Sequence, residues 1–417
     1  MNYVIIGAGP AGVTAAETLR QEDAQANICL IGNEPEPPYS RMAIPYYLTG
    51  KITEQGSYLR EDQQQLAGQG IDVRQARVTA IDNLAQTVSL DDGSSLPYDK
   101  LLIATGSTPL RPPVSGMDHQ RVSSCWTLED ARQIIKLAES GSEVVLIGAG
   151  FIGCIILEAL VERGVKLTVI ETGNRMVPRM LDEKAGGLLK SWCENQGVKV
   201  LTSCSVQSLS ENPDGSLAVS LDNGQSLNAR LVITATGVKP NLDLLANMPI
   251  KTDSGILVND RLQSSDKNIY AAGDVAQGID FSTGNYEVQA IQPTATDHGR
   301  IAALNMAGHD YQHHGSLNMN VLDTLGLISH SFGLWMGVEG GDSVELYNPD
   351  DFRYLNLQFD GDLLVGASCT GMTQHIGVLR GLIESKISLG EWKERLIEDP
   401  LSFVEAYMAC TQELAYI

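Results

Sequence analysis

The feature that most limits what this chain can fold into is a strand–loop–helix–strand pattern occurring twice, about 140 residues apart in 417. The first copy, NYVIIGAGPAGVTAAETLRQ, is an apolar run, a G-x-G-x-x-G loop at Gly7, Gly9 and Gly12, then helical spacing through Val13, Ala16 and Leu19. Each glycine answers a separate demand: Gly7 the tight turn, Gly9 the approach of a pyrophosphate to the backbone, Gly12 close packing of helix on strand. The helix start offers free N–H groups and the positive end of its dipole to phosphate. A second strand, NICLIG, leads to Glu34, whose carboxylate is placed to accept ribose hydroxyls.

The second copy, SEVVLIGAGFIGCIILEALVERGVKLTVIE, repeats every part. Gly148, Gly150 and Gly153 form the loop, Gly164 ends the helix and Glu171 stands at the tip of the second strand. One such loop is weak evidence, because tight packing alone produces it. Two complete units predict two Rossmann-like α/β domains, each with a dinucleotide. Two dinucleotides in one enzyme imply hydride passing between a retained flavin and an exchangeable nicotinamide. Spacing alone leaves open which loop holds which.

Size and charge bound the rest. A chain of this length exceeds one ordinary core, so two or three domains are expected. Lys and Arg total 29 against 51 Asp and Glu, a net charge of −22, which argues against nucleic acid or an anionic membrane as partner. No run approaches the ~18 apolar residues of a membrane span; the nearest, FIGCIILEALV, is interrupted by Glu158. The chain enters a strand within two residues of Met1, without a basic leader, and a cytoplasmic location follows by default. The seven cysteines are scattered, with no C-x-x-C and no metal-ligand spacing, and read as buried small hydrophobes.

Further motifs accompany the loops: LLIATGSTP with Thr105 and Gly106, LVITATGVKPN with Gly237, and IYAAGDVA with Asp274. In this order and company they resemble the two-dinucleotide flavoproteins, the pyridine nucleotide–disulfide oxidoreductases, over nearly the whole chain. The resemblance implies that the first loop takes FAD and the middle loop NAD(P)H. Carried over, Gly7, Gly9, Gly12, Glu34 and Asp274 belong to FAD, with Asp274 on the ribityl chain and Arg41 a further candidate. Gly148, Gly150, Gly153 and Glu171 belong to the nicotinamide cofactor, and Thr105, Gly106 and Gly237 of the A-T-G runs are further cofactor-binding candidates. The implied fold class is α/β: an FAD domain (1–112 and 246–318) interrupted by an NAD(P)H domain (113–245), then an α+β C-terminal domain (319–417). In that last part FRYLNLQFDGDLLVGASCTG predicts antiparallel hairpins about an Asp-Gly turn, and HIGVLRGLIESKIS and PLSFVEAYM predict helices. Its implied role is self-association as a homodimer, or closure of the flavin's far side.

Glu171 favours the free ribose of NADH over the 2′-phosphate of NADPH, although Arg175 and Arg179 downstream would receive a phosphate if they turned back. The chain also departs from the family pattern. The redox C-x-x-x-x-C pair is absent, and in YSRMAIPYYLTGK Met42 stands where single-cysteine relatives carry their thiol. A thioether forms no thiolate, so disulfide and peroxide reduction by a protein thiol are put in doubt. Arg41 and Lys51 flank this segment. Ile155 stands where many relatives place a glutamate beside the nicotinamide, and the next acid is Glu158. His298, His313, His314 and His375 are candidate proton donors set against structural or surface roles, and no catalytic residue is assigned. The leading reading is an FAD-dependent NADH:acceptor oxidoreductase that passes electrons to a small redox protein or complex partner, resembling rubredoxin and ferredoxin reductases. The alternatives are an oxidase using oxygen and a flavin-bearing subunit or redox sensor of a larger complex.

Overall fold

The computed structural model describes residues 1–60 and 63–414. The chain divides into two units, Met1–Pro109 with Val238–Ser316, and Leu110–Gly237 with Leu317–Ile417.

The first unit begins with β1 (Asn2–Ile6), whose apolar run is buried almost end to end. Helix α1 (Pro10–Glu22) starts at Pro10, where the missing N–H and fixed φ suit a first helical position. It turns Val13, Ala16 and Leu19 inward. The Arg20 guanidinium closes its far end by donating to the carbonyls of Asp23, Ala24, Ala26 and Gly70 at 2.8–3.1 Å. Strands β2 (Asn27–Gly32), β3 (Ile71–Gln75), β4 (Lys100–Ile103) and the short β5 (Ser107–Pro109) follow.

The chain then builds the second unit. Strands β6 (Val122–Ser124), β7 (Glu143–Ile147), β8 (Lys166–Ile170), β9 (Lys199–Leu201) and β10 (Leu231–Thr234) form one parallel sheet in the order β9-β8-β7-β10-β6. Helix α2 (Phe151–Glu162) follows the glycine loop after β7 and buries Cys154, Ile156, Leu157 and Leu160; α3 (Glu183–Asn195) lies between β8 and β9.

Returning to the first unit, β11 (Val238–Pro240) pairs antiparallel with β5. Strand β12 (Ile269–Ala271) completes a parallel sheet ordered β12-β4-β1-β2-β3. Helix α4 (Gln292–Met306) packs along α1 so closely that a Cβ on Gly299 would lie 2.2 Å from the Ala11 carbonyl oxygen. Ile5, Leu30, Leu101 and Leu102 in this core are fully buried, each contributing about 1.5–3 kcal/mol relative to exposure.

The rest of the second unit is an antiparallel sheet of β13 (Met319–Thr324), β14 (Leu327–Gly333), β15 (Asp342–Asn348), β16 (Arg353–Asp360) and β17 (Leu363–Thr370), ordered β13-β14-β17-β16-β15. The expected Asp-Gly turn joins β16 to β17, with Gly361 at φ +54°. Helices α5 (Gly377–Ser385), α6 (Glu391–Glu398) and α7 (Phe403–Leu414) end the chain's described part. This sheet is bonded to the nucleotide fold of its own unit. Glu158 of α2 accepts the Leu325 N–H at 3.0 Å, Trp192 of α3 donates to the Leu325 carbonyl at 3.1 Å, and Tyr354 donates to Asp182 at the start of α3. The α/β class and the two Rossmann-like folds expected from the repeated loops are thus both present.

Candidate functional site

In the first unit the backbone of the glycine loop is shaped by its neighbours. Gly7 has φ +117°, and a Cβ there would lie 2.0 Å from the Ala104 carbonyl oxygen. A Cβ on Gly12 would meet the Gly7 oxygen at 1.9 Å. Gly9 is the opposite case: it is the N-cap of α1, no side chain caps the helix, and nothing lies within 4 Å of where its Cβ would be. The first-turn N–H groups of α1 therefore face open space beside a residue without a side chain, a cradle that fits a pyrophosphate.

Beside the loop is a cavity of about 580 Å³ lined by Ala8, Gly32, Glu34, Arg60, Asp72 and Arg74 among others. That volume lies within the range of small-ligand sites. Glu34 is held at its edge by the Arg41 guanidinium at 2.6 Å and by the Tyr39 hydroxyl, to which Arg41 also donates at 2.9 Å. Glu34 and Arg41, separate candidates in the sequence, are one ion pair. Arg60, which carried no sequence signal, is fixed in the cavity wall by Glu17.

The A-T-G-S turn lies across the loop. Thr105 donates to the Asn241 carbonyl at 3.1 Å, and Gly106 takes φ +66°. Ser107 then donates from Oγ to Asp274 Oδ2 at 2.7 Å. Burial pushes the Asp274 carboxyl up from its ordinary value, and the Ser107 hydrogen bond and the Arg41 charge pull the other way.

The second unit repeats this geometry. Gly148 has φ +101°, and its Cβ would lie 2.4 Å from the Ala235 carbonyl oxygen; a Cβ on Gly153 would lie 2.1 Å from Gly148. Gly150 caps α2 with nothing within 4 Å. In both units, then, the carbonyl that closes on the first glycine comes from an A-T-G run, 104–106 or 235–237. Gly237, at φ +106°, ends the second run and accepts the Leu110 N–H at 2.8 Å.

Glu171 is only 8% exposed. Its Oε2 accepts the Ala149 N–H of the glycine loop at 2.8 Å, and its Oε1 accepts the Gly173 N–H at 2.7 Å. The carboxylate thus stands at the loop and also fixes it. Arg175 is turned onto its own loop, donating to the carbonyls of Leu181 at 2.8 Å and Pro178 at 3.2 Å, while Arg179 is exposed.

The remaining candidates separate. Met42 is 48% exposed on a short helical turn. Lys51 is also exposed. Ile155 is half-buried on α2, and Glu158 is engaged by Leu325. His298 and His313 are buried edge to face, 5.0 Å between centroids, with both Nε2 atoms at Ser316 Oγ (3.2 and 3.4 Å). Burial lowers His298 to about 3, so it is neutral near pH 7. His314 and His375 are exposed. The thiols of Cys125, Cys154, Cys193 and Cys369 are buried and shifted upward by desolvation, Cys193 and Cys369 to about 12. Among the described residues no group of three His, Cys, Asp or Glu is placed to hold a metal, and no helix is long and apolar enough to cross a membrane.

Comparison with known proteins agrees with this geometry. Residues 1–299 match the family described as pyridine nucleotide-disulphide oxidoreductase. The chain is 31% identical over 414 residues to the NADH-dependent phenylglyoxylate dehydrogenase subunit epsilon of Aromatoleum evansii, covering 98% of this chain and 97% of that one. It is 33% identical over 331 residues to an NADH oxidase of Methanocaldococcus jannaschii, covering 77% and 73%. The covalent putidaredoxin reductase–putidaredoxin complex contains a chain that superposes with a TM-score of 0.90 at 26% identity, covering 98% of this chain and 99% of that one.

Proposed function

Because the chain belongs to the pyridine nucleotide–disulphide oxidoreductase family and is an FAD-dependent NAD(P)H oxidoreductase, we propose that it takes electrons from NADH and delivers them to a protein acceptor without a protein thiol. The observation that carries the reading is the exposed Met42 in the place of a redox cysteine, with the core thiols held protonated by burial. FAD, when bound, supplies the exchange between a hydride pair and single electrons.

The chain's own residues bind and orient. The open N-terminus of α1 at Gly9 receives the flavin pyrophosphate, Glu34 the ribose, and Asp274 the ribityl hydroxyls. The open N-terminus of α2 at Gly150 receives the pyrophosphate of NADH, and the Glu171 oxygens retain lone pairs for its ribose hydroxyls while repelling a 2′-phosphate. With Arg175 committed to its own loop, NADH is preferred over NADPH. Residues 1–112 and 246–318 serve as the FAD domain, 113–245 as the NADH domain and 319–417 as an interface domain.

A protein acceptor is favoured over oxygen because the relative that matches 98% of this chain is one subunit of a dehydrogenase. The putidaredoxin reductase chain, which covers the C-terminal part as well, is paired with a small redox protein. The test is anaerobic reduction by NADH in a stopped-flow instrument, followed by mixing with rubredoxin, ferredoxin, quinone, disulfide or oxygen. Reoxidation by a protein carrier at least tenfold faster than by air supports the reading. Full turnover with oxygen alone, or with a disulfide, overturns it.

A further inference from the structure

Asp274 is placed by something the A-T-G motif itself does not include. Among the described residues Ser107 is the one side chain that donates to it, at 2.7 Å. Ser107 is itself 6% exposed and begins β5, directly after the positive-φ Gly106. The turn carrying it is clasped by Asn241. The Asn241 N–H donates to the Gly106 carbonyl at 3.0 Å and its Nδ2 to the Thr105 carbonyl at 2.8 Å. In return it accepts Thr108 at 2.6 Å and Thr105 at 3.1 Å. Four bonds to one residue fix the backbone on both sides of Ser107. On the other side Gly273 (φ +74°) leaves Asp274 on a short helical turn packed against Ala11 and Ala295, where a Cβ at Gly273 would already touch both at 3.4 Å. Donor and acceptor are therefore both held by rigid backbone.

We infer that Ser107 is a positioning residue for the flavin: its hydroxyl occupies Oδ2 of Asp274 and so presents Oδ1, as an acceptor, to the polyhydroxyl chain of the cofactor. This rests on the reading that Asp274 meets the ribityl group. A carboxyl buried without this donor would be free to rotate and would keep its proton to higher pH, offering a donor where the ligand's hydroxyls need an acceptor. Arg41 is the charged group that acts on Asp274, and like the Ser107 hydroxyl it favours the ionised form.

The experiment is reconstitution of apoprotein with FAD, followed by flavin fluorescence from pH 5 to 8, for the parent, Ser107→Ala, Ser107→Thr and Asp274→Asn. Loss of a hydrogen bond to a charged group predicts a Kd for FAD about ten- to a hundredfold weaker in Ser107→Ala. The pH below which FAD is released should move upward in that variant, and Ser107→Thr, which keeps the hydroxyl, should restore both. If Ser107→Ala does not fold, Ser107→Gly, which also lacks the donor, is read in its place. An unchanged Kd and pH profile in Ser107→Ala, with Asp274→Asn still losing FAD, overturns the inference and leaves the reading of Asp274 intact. Normal FAD binding by Asp274→Asn overturns the reading itself.

Discussion

Each glycine loop contains two positions that the fold needs as glycine and one that only the ligand needs, and alanine substitution separates them. At Gly9 the φ of −81° suits any residue, and nothing lies within 4 Å of an added Cβ. Replacing glycine at an N-cap by alanine costs about 0.5–1 kcal/mol, and the lost freedom of the unfolded chain returns about 0.4–1 kcal/mol. The apoprotein of Gly9→Ala should therefore melt within a few degrees of the parent. Its methyl group enters the space through which a phosphate reaches the helix N–H groups. Losing one charge-assisted bond there, at about 1.5–3 kcal/mol, weakens FAD binding about ten- to a hundredfold.

Gly12→Ala behaves differently. Its Cβ would stand 1.9 Å from the Gly7 carbonyl oxygen and 3.2 Å from Leu30 Cδ1, so α1 must move off the sheet. Overpacking of that kind costs about 1–3 kcal/mol, and stability and flavin should fall together. Gly150→Ala and Gly153→Ala form the matching pair in the second unit, open space against 2.1 Å from Gly148. There Gly150→Ala should purify fully yellow and lose NADH affinity alone. The measurements are the flavin-to-protein absorbance ratio, the Kd for FAD on reconstitution, the apoprotein melting temperature and an NADH titration. A fully yellow Gly9→Ala with the parent's Kd would refute the cradle, and a colourless Gly150→Ala would reverse the assignment of the two loops.

Three further outcomes follow from the site. Glu171→Ser should raise use of NADPH relative to NADH. Because it also strands the Ala149 and Gly173 N–H groups, it should lower kcat/KM for both cofactors, by about tenfold or more for NADH; an unchanged ratio would mean the ribose is recognised elsewhere. Met42→Ala should leave NADH-driven reduction of a one-electron dye near the parent rate, with thiol-blocking reagents having little effect. Rapid inactivation prevented by NADH would reveal a working thiol. Finally, His298 is neutral in the fold and lowered to about 3 by burial against His313, while the unfolded chain binds that proton near 6.5. Stability is therefore fully present above pH 6.5 and is lost as pH falls toward 3, by several kcal/mol; His298→Asn should flatten the slope of unfolding free energy between pH 4 and 6, and an unchanged slope would refute the assignment.

Much of the site was legible because its physics is local. A glycine spacing, an apolar run on either side and an acid at a strand tip specify a loop, its helix and the place of a carboxylate within one stretch of chain, so both Rossmann-like folds follow from short windows. What the sequence did not reveal are contacts made across the fold. Ser107 and Asn241 were in plain view within ATGS and KPN, yet their partners lie 167 and 136 residues away and only tertiary packing brings them together. The closing of Ala104 and Ala235 on the first glycine of each loop is of the same kind. Arg41 and Glu34 were recognised singly, and their pairing, with the Tyr39 hydroxyl bonded to both, needed the fold. Residues 319–417 were legible as hairpins and helices, but not the bonds that tie them to α2 and α3.

Those bonds bear on the acid missing from position 155. On α2 successive turns bring residues three apart onto neighbouring positions, so Ile155 and Glu158 lie on adjacent turns of one side. An ionised side chain at 155 would be half-buried on a helix whose neighbouring positions, Cys154, Ile156 and Leu157, are apolar core, and desolvation would raise its cost. One turn further along, Glu158 meets the N–H of Leu325, a residue at φ +55° in the tight turn between β13 and β14, whose carbonyl is already taken by Trp192. Glu158 therefore satisfies a strained turn of the C-terminal sheet instead of facing the end of α2 that we propose receives a nucleotide. The helix that opens at Gly150 is thereby anchored at its middle to the sheet of its own unit, and the residues nearest its open end are left apolar. If a dinucleotide binds there as proposed, this apolar surround would strengthen its polar contacts with the loop N–H groups and Glu171, because fewer waters would compete for them.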